Sequence, residues 1–156
     1  LVTVDRPIQD IIDNYQTQTK LYRKMLTYAQ EQLEMVRSSE DNQQLKKLLL
    51  NRQNLMNELN SLNEEVRKLQ NGVMDILGIS KFTYSELGGK INDEHFTALK
   101  EVVSELVHIL DEINKVDVIN QSLLRSNSGH KLISSPNFRE AADAYNKALL
   151  QKKEKS

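Results

Sequence analysis

The sequence predicts an all-α fold. The expected architecture is an antiparallel bundle of three long helices with coiled-coil-like seams, followed by a short C-terminal amphipathic helix. Three observations carry this. The 156 residues include only 5 Gly and 2 Pro, and helix-forming Leu, Glu, Lys and Gln dominate. Apolar residues recur at alternating three- and four-residue steps through three long stretches. The intervals between those stretches carry residues that cap or end helices. The length suits one domain, residues 1–156.

The first helix is expected over residues 5–37. Asp5 is placed to cap it, and Pro7 falls in its first turn, where a missing N–H costs nothing. Its stripe is Ile8, Ile12, Tyr15, Thr19, Tyr22, Leu26, Ala29, Leu33 and Val36, with Thr19 the weak member. Ser38-Ser39-Glu40-Asp41-Asn42 follows, with neither Gly nor Pro but with good N-caps. Between Val36 and Leu45 the stripe also shifts phase by about half a turn. A turn here lets two stripes face each other in a closed antiparallel hairpin. The rival is a continuous rod that swaps its second half with a neighbouring chain.

The second helix, residues 41–77, carries the seam Leu45, Leu48, Leu55, Leu59, Leu62, Val66, Leu69, Val73 and Ile76. It makes a rod about 50 Å long that cannot bury its own stripe. Arg52 fills the one seam position that is not apolar. The expected arrangement packs its stem and carries its head out to water, with a buried binding role as the alternative. The Asn and Gln residues around this helix read as a solvated face. Gly78 is a good terminator.

The segment Ile79 to Ile91, with Phe82, Tyr84, Leu87 and Gly88-Gly89, is longer than common helix connections. Its apolar residues are expected to close the end of the bundle. Asn92 or Asp93 then caps a third helix over residues 93–126, with the seam Leu99, Val102, Leu106, Ile109, Ile113, Val116, Asn120 and Leu123. Val103, Leu110 and Leu124 widen that stripe, which implies two packing partners for this helix. Helix signal fades at Ser126 to Gly129. Ser135 and Pro136 announce a short amphipathic helix over residues 136–150, with Phe138, Ala142, Tyr145 and Leu149 on one face.

Several function classes find no support. The formal net charge is -1, so no chain-wide basic field is available for nucleic acid. No apolar run approaches the roughly 18 residues of a membrane span, and no secretory leader is recognisable. With 0 Cys there is no disulfide, thiol catalysis or Cys-based zinc site, which suits a reducing cytoplasm. Glu105-x-x-His108 has the spacing of di-iron bundles, but no second copy exists and His108 falls on the outer side of its helix. His95 and His130 read as surface and loop residues. No catalytic, metal or cofactor site is expected. The resources of the chain go into amphipathic helices, which points to binding another helix in an apolar groove.

The order of parts also resembles a known family. A long heptad helix pair carries Glu64-Glu65-Val66-Arg67 and leads to Ile76-Leu77-Gly78. A polar loop and a last long helix follow, ending in Asn120-Gln121-Ser122-Leu123-Leu124. From Tyr22 to Leu124 this is similar to the FlgN family of flagellar export chaperones of Gram-positive type. The resemblance implies a cytoplasmic, all-helical chaperone without enzymatic activity. Its clients would be the hook–filament junction proteins FlgK and FlgL, bound through their C-terminal helical segments and delivered to the cytoplasmic domain of the type III export gate. Carried over, the client-binding stripe is Val103, Leu106, Leu110, Ile113, Val116, Asn120, Leu123 and Leu124. The chain departs from the family pattern after Leu124, where the helix often runs on in relatives. Phe138, Ala142, Tyr145 and Leu149 resemble what a client would offer, so the tail either covers the groove or completes the core. The alternatives are a FliT-type chaperone for the filament-cap protein and a structural coiled-coil adaptor working as a homodimer, by helix or tail swapping.

Overall fold

The computed structural model describes residues 3–38 and 42–128. It holds four helices: α1 (Asp5–Ser38), α2 (Asn42–Leu77), the single-turn α3 (Tyr84–Leu87) and α4 (Asp93–Ser128). The expected tail helix, with Phe138, Ala142, Tyr145 and Leu149, lies outside the described residues, as does His130.

Side-chain bonds fix the direction of each long helix. Asn14 Nδ2 donates to the Leu62 carbonyl at 3.2 Å, and Arg52 Nη1 donates to Gln32 Oε1 at 2.6 Å. Low numbers on α1 therefore meet high numbers on α2, so the two pack antiparallel. Asn92 reaches Asp5, His95 reaches Gln9, and Arg23 pairs with Glu105. Here numbers rise together, and α4 runs parallel to α1. The order is up, down, up. One end of the bundle holds the end of α1 and the start of α2, and the other holds the α2–α4 connection.

α1 is the central helix, packed along both α2 and α4. The wide stripe on α4 had implied two partners for that helix; it packs along α1 and also reaches α2 through the Asp117–Arg52 pair. α1 buries its expected stripe except for the half-buried Leu26 and Leu33, and adds a second row of Ile11, Asn14, Gln18, Met25 and Gln32. Asn14, Met25 and Gln32 meet α2 directly. Within the row, Gln18 Nε2 donates to Asn14 Oδ1 at 2.8 Å, the pairing that buried amides require.

The α2 seam is buried at Leu48, Leu55, Leu59, Val66 and Val73. Leu62, at the middle of the expected seam, is only half-buried, and Ile76 is exposed. Gly78 ends α2 at φ 67°, a left-handed conformation natural to glycine. The N–H of Ile79 bonds back to the Met74 carbonyl at 3.1 Å, the closure of a Schellman motif. Ile79, Phe82, Leu87 and Ile91 then turn inward and join the apolar core at this end. Thr83 caps α3 by accepting the Glu86 N–H at 3.3 Å. Asn92 caps α4, its Oδ1 accepting the His95 N–H at 2.7 Å.

Candidate helix-binding surface

The residues expected to bind a client fall into two groups along α4. Val103, Leu106, Leu110 and Ile113 are buried core residues. Val116, Leu123 and Leu124 are half-buried, and Asn120 is buried. α4 thus changes character near Ile113, from a core helix to one whose apolar side chains are incompletely covered. Val118 is 59% exposed and Ile119 42% exposed. They lie beside the stripe rather than on it, and seam counting passed over them. The signal was the run Val116-Asp117-Val118-Ile119, which places apolar residues around more of the helix than one seam accounts for. At the same end of the bundle, Leu50 on α2 is 59% exposed.

A buried polar layer marks the change. Arg52 is 6% exposed and does not reach water, contrary to the expected snorkelling. Its Nη1 and Nη2 donate to the two carboxylate oxygens of Asp117 at 2.8 and 2.6 Å. This fork-to-fork geometry is the strongest that an Arg and a carboxylate can form. Nη1 also donates to Gln32 Oε1, and Nε points at Met25 Sδ at 3.3 Å. Snorkelling fails because α4 lies over the guanidinium and brings it an acceptor. Asn120 completes the layer. Its Nδ2 donates to the Ala29 carbonyl at 3.0 Å and to Asp117 Oδ1 at 3.2 Å, while its Oδ1 finds no donor among the described residues. One residue from α2, two from α1 with a backbone carbonyl, and two from α4 therefore meet at one level.

The remaining candidates stay apart. His108 and Glu105 are exposed, and Glu105 pairs with Arg23 of α1. Among the described residues, no group of three or more His, Asp or Glu side chains is close enough to hold a metal ion. His95 belongs to an exposed clasp with Asn92, Asp5 and Gln9 that ties the starts of α1 and α4. Gln70, expected on the solvated face, donates to the Tyr15 hydroxyl at 2.9 Å. Burial pushes the Tyr15 hydroxyl well above its ordinary pKa, against the opposing effect of the Gln70 hydrogen bond. Half-buried Tyr84 is pushed up to about 12 by the same cause. Lys100 sits over both Tyr84 and Phe96, at 5.9 and 5.5 Å from the ring centres.

The family model described as FlgN protein matches residues 7–149, nearly the whole chain. The chain belongs to the FlgN family. No curated protein and no solved structure matches it. FlgN membership suggests a flagellar export chaperone, and an all-helical bundle with an incompletely covered helix end accords with that. Among the described residues, no helix of this FlgN protein is long and apolar enough to cross a membrane.

Proposed function

We propose that the protein is a cytoplasmic chaperone for the hook–filament junction proteins FlgK and FlgL. It holds their helical C-terminal segments in an unassembled state and hands them to the type III export gate. The observation that carries this is the end of α4. Val116, Val118, Ile119, Leu123 and Leu124 give an apolar helix end that the bundle does not fully cover, on a chain of the FlgN family. An amphipathic client helix is the natural complement of such a surface. In this reading Val116, Asn120, Leu123 and Leu124 meet the client first. Val103, Leu106, Leu110 and Ile113 support the helix from within and become client contacts only where α4 parts from α1.

Calorimetry of the full-length protein against FlgK, FlgL and the filament-cap protein tests the proposal. Binding to a junction protein's C-terminal region is expected, and Ile119→Ser with Leu123→Ser should weaken it while leaving the melting temperature nearly unchanged. Binding to the cap protein alone would move the assignment to the FliT type. A mass that stays dimeric at all concentrations, with no client bound, would favour a structural coiled-coil adaptor.

A further inference from the structure

Arg52 is the one buried cation among the described residues, and both oxygens of its carboxylate partner come from α4. On the loop side of this layer the apolar core is continuous, from Val4 and Phe82 through Ile113. On the hairpin side, the buried apolar residues among those described are Val36 and Leu48, and both lie outside that continuous cluster. The last turns of α4 therefore have little apolar burial to hold them beyond the layer. The unpartnered Asn120 Oδ1 weakens the layer further. Segments with so few buried apolar contacts are the ones that open locally while the rest stays folded.

When the end of α4 lifts at Asp117, it uncovers Ala29, Gln32 and Arg52, with Val36 and Leu48 one turn beyond. Arg52 then loses its carboxylate partner and meets water, and burying it again without an acceptor is costly. A helix laid in that place relieves the cost only if it brings a carboxylate of its own. Resting on the client-binding reading above, we propose that the α1–α2 face beneath the last turns of α4 receives the client helix, and that Arg52 selects a client carrying an Asp or Glu within its apolar stripe. The resident Asp117 occupies that place in the free chain. The lifted α4 end offers its own stripe, Val116, Leu123 and Leu124, to the same helix.

The test uses full-length protein. In hydrogen exchange, Asp117→Asn should speed residues 117–125 by about tenfold or more, the loss of one ion-pair interaction, while residues 99–113 stay unchanged. Exchange of all of α4 as one unit would overturn the proposal. The helix probe is a synthetic peptide of residues 106–125. It should bind the Asp117→Asn protein about tenfold more tightly than the same peptide carrying Asp117→Asn, and protect residues 29–52. Equal binding of the two peptides would also overturn it. Neither arm uses a junction protein, so failure of junction proteins to bind would strike the chaperone reading alone. Conversely, Arg52→Met with Asp117→Leu keeps the layer packed. An unchanged junction-protein affinity in that variant would remove Arg52 from selection and leave the chaperone reading standing.

Discussion

Withdrawing a guanidinium and a carboxylate from water costs several kcal/mol per ion before their attraction is counted. The Arg52–Asp117 pair offsets that cost through two short bonds, with Gln32 and Asn120 as further partners. Removing one partner leaves the other buried and uncompensated. Arg52→Ala or Asp117→Ala alone should therefore cost about 3–5 kcal/mol in urea unfolding, whereas Arg52→Met with Asp117→Leu should be neutral or stabilising. Single variants with an unchanged midpoint would show that the layer holds nothing. Tyr15 supplies a pH dependence with a definite sign. Its folded-state pKa is raised, so the folded chain resists the ionisation that the unfolded chain undergoes at about pH 10, the free Tyr value. Stability is whole below about pH 10 and falls as pH rises above it. Tyr15→Phe should flatten that alkaline loss in denaturation curves taken from neutral pH upward. An equally steep loss in the variant would assign it to other groups.

At the scale of the helix, burial rather than seam position sets the cost of a substitution. Leu59 is fully buried and Leu62 only half-buried, although both sit on the α2 seam. Leu59→Ala should cost about 2–5 kcal/mol, and Leu62→Ala distinctly less. Thermal unfolding ranks the two, and equal losses would return Leu62 to the core. The helices themselves were legible, because leucines at alternating three- and four-residue spacing have few other readings. The second buried row of α1 was not. Asn14, Gln18 and Gln32 read as surface residues until their partners Leu62, Asn14 and Arg52 are in place. The same blindness hid Asp117, whose acceptor role exists only across the bundle from Arg52. On α4 the stripe of Leu106, Leu110 and Ile113 was visible as a face that must be covered. A stripe says that a face is buried, not whether α1 or a client buries it.

For the whole molecule, the up-down-up order makes α1 the shared partner of two helices. The tail belongs to this scale too. If residues 136–156 compete for the client surface, deleting them should tighten client binding and leave helicity elsewhere intact. Unfolding of the bundle, or weaker binding, would make the tail core or binding surface instead. The central position of α1 also imposes a schedule on the chain as it is made. The α1–α2 hairpin closes over a short connection, so it is quick to form. The α1–α4 contacts join residues far apart in sequence, such as Asp5 with Asn92 and Ala29 with Asn120, and must wait. A nascent chain that has emerged only as far as α2 is thus a two-helix platform with an open flank along α1. α4 closes that flank when it emerges, so a product truncated before it would display the flank as a sticky, chaperone-dependent surface.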